Sequence, residues 1–264
     1  MKRSLIVFIL IALPFLNGCS SVQGQSVSGS SPIAPITMTL LSSPFVQSKA
    51  CAHGLGIGYV VSCQFDNPVK PGDLIVAVGV GGCSSVLNTC NTVSDSQTNA
   101  WKVAIVVPNY NGIPLWYALN AKGGVNTVYF DSGTEWMAII AEYGPSTGFE
   151  DANHGEYGPQ NLHPNGRLGS SDIGYTMPVE TTESCELLIS WGLVGSYYPN
   201  QVQGSVQTTQ TAGPGFTMRG SDYGALAFED ATTGIPGLYI GTMSWSDYNH
   251  WDLGVAAFKM GGCK

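Results

Sequence analysis

Charge is scarce in this sequence. Only 11% of its 264 residues are Asp, Glu, Lys or Arg, with 10 basic against 18 acidic side chains and a formal net charge of −8. So few basic residues exclude the electrostatic footprint of a nucleic-acid binder, and an acidic surface disfavours anionic headgroups as well. Helical periodicity is also missing: no stretch keeps apolar residues at helical spacing for three turns without meeting one of the 34 Gly or 15 Pro. After the first segment there is no apolar run long enough to cross a membrane as a helix, while 44% hydrophobic residues are too many for a disordered chain. Neither CxxC nor HxxxH occurs, which removes the usual zinc spacings. No internal repeat stands out that would mark a propeller or a solenoid.

What is present is a succession of short β-type runs. Between Pro71 and Gly144, segments rich in Val, Ile, Tyr and Trp alternate with turn clusters such as Pro71-Gly72-Asp73, Asp95 to Asn99 and Gly123-Gly124. Runs of about 5–8 residues punctuated this often read as antiparallel strands. Leu74 to Val80 has the unbroken apolar character of a buried strand. Strands resume at Glu186 to Val194, Phe216 to Arg219, Ala225 to Phe228, Leu238 to Trp245 and Trp251 to Met260. The region from Gly144 to Met177 shows little pattern and reads as a long, functional or partly structured loop. The fold class expected is all-β: an antiparallel two-sheet β-sandwich, jelly-roll-like, over residues 36–264.

The N-terminus carries a different signal. A basic start, an apolar core from Leu5 to Leu16 and small residues before Cys19 fit a secretory leader. Leu16-Asn17-Gly18-Cys19 resembles the lipobox of bacterial lipoproteins. That resemblance implies that residues 1–18 are a lipoprotein signal peptide and that Cys19 is lipidated and becomes the new N-terminus. It also implies a cell-envelope location at the outer membrane or cell surface, because Ser20 rather than Asp follows the cysteine. The alternative is an ordinary signal peptide with a cysteine placed by chance. Residues 19–35, rich in Ser, Gly, Gln and Pro, read as a flexible tether. The expected partners are thus a membrane, through lipid on Cys19, and no nucleic acid.

Six further cysteines, an even number in an exported chain, read as disulfides. Locality suggests Cys51–Cys63 across one hairpin and Cys83–Cys90 across a loop, leaving Cys185 to pair with Cys263. Together PGDLIVAV, VSDSQTNAW, LWYALNAKGGVNTVYF, MAIIAEYG, CELLISWG, GPGFTMR and WDLGVAAFK resemble a β-sandwich module of bacterial secreted proteins, a group largely without assigned activity. The resemblance runs from about Phe45 to Lys259 and implies the fold rather than a reaction.

Candidate chemistry is sparse. Gly144-Pro145-Ser146-Thr147-Gly148 matches the GxSxG elbow, but Pro145 and the loop expected after it favour a plain turn. Glu135 and Glu142 are seven apart, an odd spacing that sends them to opposite faces of a regular strand, so no glycosidase-like carboxylate pair is evident. Glu142 reads as a structural acid, and Asp73 and Asp95 as turn acids bonding local backbone. His154, Glu156 and His163 are the densest candidate metal ligands, set against the default of a solvated acidic loop; no cofactor is expected. The most suggestive surface stretch is Trp245, Asp247, Tyr248, Asn249, His250 and Trp251. Its rings would stack on sugars while its polar groups bond hydroxyls, with Trp101, Tyr197 and Tyr198 as possible contributors. Against that stands the reading that Trp245 and Trp251 are core residues. The sequence thus favours a lipid-anchored binding or surface-structural module for which a glycan is the specific ligand class. A polysaccharide-active hydrolase and a subunit of a cell-surface assembly are the alternatives.

Overall fold

The computed structural model describes residues 44–51, 62–80, 83–84, 89–90, 92–107, 112–130, 137–157, 173–194, 209–222, 225–246 and 251–261. The described residues belong to one unit, Leu40–Lys264, and their regular structure is all strand. In the first half of the chain these are β1 (Phe45–Ala50), β2 (Ser62–Gln64), β3 (Asp73–Val80), β4 (Cys83–Ser84), β5 (Thr89–Cys90), β6 (Val93–Asp95), β7 (Lys102–Val107), β8 (Ile113–Ala118), β9 (Thr127–Phe130) and β10 (Met137–Pro145). The second half supplies β11 (Gly148–Tyr157), β12 (Ile173–Tyr175), β13 (Val179–Thr181), β14 (Leu187–Val194), β15 (Gln210–Ala212), β16 (Thr217–Asp222), β17 (Leu226–Thr232), β18 (Gly237–Tyr239), β19 (Thr242–Trp245) and β20 (Trp251–Lys259).

The protein is an antiparallel β-sandwich. One principal sheet has the order β1-β10-β3-β8-β7 and the other β11-β20-β14-β17-β16. Alternate side chains of the first sheet, among them Leu74, Val76, Val78, Ile139 and Tyr143, meet Leu187, Ile189, Trp191, Phe228 and Phe258 of the second in the central core. The opposite faces are covered too, which is why β3 and β14 read as nearly unbroken apolar runs instead of alternating. The sheet β2-β9-β6 lies over Ile75, Ala77, Trp116 and Ile140. The sheets β12-β19-β15 and β13-β18 lie over Ala227, Leu253, Leu188 and Val255. A jelly roll threads its strands through both facing sheets; here each principal sheet takes its strands from one half of the chain, so the expected jelly-roll connectivity is not the one found.

The two halves are copies of one plan. The sheet orders superimpose strand for strand, β1-β10-β3-β8-β7 onto β11-β20-β14-β17-β16, and β2-β9-β6 onto β12-β19-β15. The isolated bridge Val69↔Gly124 stands where β13 pairs β18. Registers coincide: Val76 lies opposite Ala141 and Tyr117, and Ile189 opposite Ala256 and Asp230. So do irregularities, between Phe45/Gln47 and Phe149/Asp151 on the first strand of each half, and between Val103/Ile105 and Met218/Gly220 further on. The turn before each central strand makes the same bonds. Gly72 N–H donates to Ala121 O and Ala121 N–H to Asp73 O, as Cys185 N–H does to Thr233 O and Thr233 N–H to Glu186 O. Gly72 and Cys185 both have positive φ, 91° and 66°. Edge strands meet reciprocally, β1 with β16 and β7 with β11, as an approximate twofold axis between the halves requires.

The stretch read as a loop from Gly144 holds a ten-residue strand, β11, paired along its length with β20. Its bulge at Glu150 puts Phe149 and Ala152 opposite the core residues Phe258 and Ala256, so the inward positions fall three apart and no period of two is visible.

Candidate functional site

The aromatic corner is mostly core. Trp245 ends β19 and Trp251 opens β20; both indoles are buried, 3% exposed each, and stack with centroids 6.3 Å apart and planes 14° from parallel. Gly174 makes the stack possible, since a Cβ there would come within 2.8 Å of Trp245 and 3.0 Å of Trp251. The expectation that these two rings are sugar platforms is therefore corrected: the outer sheet closes over them. Asp247, Tyr248, Asn249 and His250 lie outside the described residues, as do Tyr197 and Tyr198. Trp101 is half-buried and donates its Nε1–H to Asp95 at 2.9 Å, a turn-fixing bond.

His154 and Glu156 sit two apart on β11, and His163 lies outside the described residues. Among the described residues no group of three His, Cys, Asp or Glu is placed to hold a metal. Ser146 of the GxSxG stretch is buried, donates to Lys259 O at 2.8 Å and turns the chain from one sheet into the other, from β10 to β11, which is a structural task. The Cys51–Cys63 disulfide is present. Cys83 lies opposite Cys90 in the β4–β5 pairing, and Cys185 is disulfide-bonded; Cys263 lies outside the described residues.

Buried acids are the second candidate. Asp95 behaves as a turn acid should, accepting from the backbone N–H of Gln97 and Asn99 and from the side chains of Asn99, Trp101 and Asn126. Burial pushes its pKa up, but these donors outweigh it and hold the carboxyl low. Asp73 differs from its expected turn role. It is buried against Glu142, and that burial together with the Glu142 hydrogen bond and charge raises it to about 6. Glu142 in turn accepts from Lys70 N–H at 2.8 Å and from Gln47. At the matching end of the second half, burial and the neighbouring Glu150 raise Glu186 to about 7. Glu150 is held low because bonds from Glu186, Thr182 and Lys259 outweigh its own burial. Carboxyls in hydrogen-bond contact inside a sandwich leave no room between them for a glycosidic bond and a water.

The third candidate is an exposed face. On the outer layer of the second half, Ile173, Tyr175, Met177, Ile235, Leu238 and Ile240 are between 47% and 71% exposed. The bonds joining Thr176 to Gly241 fix the pairing of this ladder. They set Tyr175 opposite Thr242 and Met177 beside Ile240, with Leu238 and Glu180 next along. These side chains form an exposed apolar strip on two small sheets, with Ile235 in the turn that leads into β18. Register equivalents on the first half are Ser62 for Ile173 and Gln64 for Tyr175, facing Tyr129 and Thr127 where the second half has Ser244 and Thr242. Asp66 follows where the second half has Met177. Along β2 and β12 the same architectural positions are thus polar in one half and apolar in the other, although Val125, the equivalent of Ile240, and Tyr129 are exposed on the first half as well, so the fold itself does not demand Ile173, Tyr175 and Met177. Burial patterns alone hide such a strip in the sequence, because Ile, Leu and Met in short strands read as core. Compared with protein families, curated proteins and solved structures, this chain finds no match.

Proposed function

We propose that this protein is a lipid-anchored, extracytoplasmic module with a binding or surface-structural role, acting through the apolar outer face of its second half. The carrying observation is the difference between equivalent faces: Ser62, Gln64 and Asp66 on one half against Ile173, Tyr175 and Met177 on the other. Exposed apolar strips of this size on a soluble domain mark contact sites. The lipobox-like segment ending at Cys19 supports placement at the outer membrane or cell surface, with the tether holding the domain within roughly 30 Å of the bilayer. Burial of Trp245 and Trp251 moves the preferred ligand away from a neutral glycan. A glycan site at this end would rest on Tyr175, whose ring lies 5.8 Å from that of Trp251. Hydrolysis is disfavoured because the carboxyl pairs Asp73–Glu142 and Glu186–Glu150 are in mutual contact, without the separation a glycosidic bond and a water require. Side-chain footprinting tests the reading. In its native envelope the full chain should show protection of Tyr175, Met177 and Leu238 relative to the purified protein, with Tyr129 and Val125 labelled equally in both. Equal labelling of the strip in the two settings would refute it.

A further inference from the structure

Resting on that reading, we infer that the occupant of the strip is the same strip on a second copy of this chain, in an isologous, face-to-face dimer. Four observations favour a second copy. First, the face is the outer side of a sheet, and among the described residues sheets are buried by stacking on sheets: β2-β9-β6 on the first principal sheet, that sheet on the second, and the second under β12-β19-β15 and β13-β18. A second copy continues the series by one interface.

Second, the area fits. Six large side chains, each roughly half to two-thirds exposed, present on the order of 700 Å². That is close to the roughly 800 Å² each partner contributes to a standard stable interface. Third, the face is close to neutral in a chain of net charge −8. Across Ile173–Thr181 and Gly237–Trp245 the one formal charge is Glu180, opposite Leu238 at the end of the ladder. A twofold axis through the Met177–Ile240 region would set the two copies of Glu180 at opposite ends, so the acidic chains meet where they repel least. An anionic membrane finds no Lys or Arg in either segment to bind.

Fourth, an isologous contact uses one patch per molecule and closes. The equivalent face has Ser62, Gln64 and Asp66 in place of Ile173, Tyr175 and Met177 and, among the described residues, keeps only Val125 and Tyr129 as exposed large apolar side chains, a smaller patch through which to continue growth into a filament. Anchoring through Cys19 raises the local concentration, so a weak contact in dilute solution is populated on a membrane.

Photo-crosslinking in membranes decides the matter. The full chain carrying benzoylphenylalanine at position 175 should give an adduct of twice the chain mass. Peptide mapping should join position 175 to 173–177 or 235–240 of the other copy. Leu238→Glu with Ile240→Glu should reduce that adduct at least tenfold, and Gln64→Glu on the equivalent face should leave it unchanged. Leu238→Ser with Ile240→Thr serves as a second variant pair that preserves the strand, so a folding defect is separable from a lost contact. A self-adduct no stronger than from the same crosslinker at position 64 overturns the inference. An adduct to lipid or to a different protein also overturns it, while leaving the strip a covered face; an unprotected strip in the footprinting refutes both.

Discussion

Glu229 is where the two halves differ most at the scale of one residue. It lies opposite Ser190 on β14, and its register equivalent opposite Ala77 on β3 is Trp116, fully buried in the first half. Where one half fills the space under its outer sheet with an indole, the other places a carboxyl whose Oε2 accepts the Gly213 N–H at 2.9 Å. Burial pushes Glu229 up to about 8, against the lowering effect of Gly213 and Ser190. A folded-state pKa above the unfolded 4.5 means the native protein holds a proton that the unfolded chain releases. The associated stability is complete below about pH 4.5 and is lost as pH rises through 8. Glu186, at about 7, and Asp73 and Asp222, at about 6, act with the same sign, burial being the leading cause for each. Stability should therefore fall from pH 5 to pH 8.5. Glu229→Gln, which keeps an acceptor for Gly213, should remove this residue's share of the slope between about pH 4.5 and 8. It should leave the variant more stable than the parent at pH 8.5 by on the order of 1–3 kcal/mol. Urea unfolding at a series of pH values measures this; a flat profile, or a variant destabilised equally at all pH values, would contradict it.

At the scale of elements, the sandwich was legible wherever burial on both faces made the signal dense. Leu74 to Val80, Glu186 to Val194 and Trp251 to Met260 are strands within a residue or two of where the sequence puts them. Three features escaped. β11 was hidden by its bulge and by being an edge strand with polar outer positions. The run Leu238 to Trp245 divides into β18 and β19, belonging to different small sheets. The repeat was hidden because equivalent positions do not keep identity, and several do not keep polarity: Val78 matches Trp191, Trp116 matches Glu229, and Cys63 matches Gly174. That last pair bears on the disulfide. Cys51 follows β1 and Cys63 lies in β2, so the bridge pins the outer sheet of the first half. In the second half, Gly174 allows the Trp245–Trp251 stack to do so by packing. With a sequence separation of 12, loss of the bridge in a Cys51→Ser, Cys63→Ala variant should cost about 2–3 kcal/mol. Chemical denaturation under non-reducing conditions reads the cost directly, and an unchanged midpoint would mean that Phe65, Val128 and Phe130 hold that layer alone.

At the scale of the whole molecule, the repeated plan gives two equivalent outer faces related by an approximate twofold axis, of which one carries the larger apolar strip. Closure of the inferred dimer depends on that asymmetry, so restoring symmetry should abolish closure. Ser62→Ile, Gln64→Tyr and Asp66→Met would build the strip of the second half onto the first at matching register. These positions are exposed, and the one ion pair lost, Lys49–Asp66 at 2.6 Å, lies at the surface and is worth well under 1 kcal/mol. Gly123 is left unchanged, since its φ of +81° and a Cβ only 2.7 Å from Pro71 bar a side chain there. A molecule with two such faces on opposite sides joins a neighbour at each, and the chain of contacts no longer closes. The triple variant should therefore form concentration-dependent linear polymers, seen as a light-scattering mass that keeps rising with concentration where the parent levels off at a dimer. Adding Leu238→Glu and Ile240→Glu to it should return the mass to that of a dimer formed through the new face. A triple variant that stays dimeric would mean that the contact needs more than the strip itself.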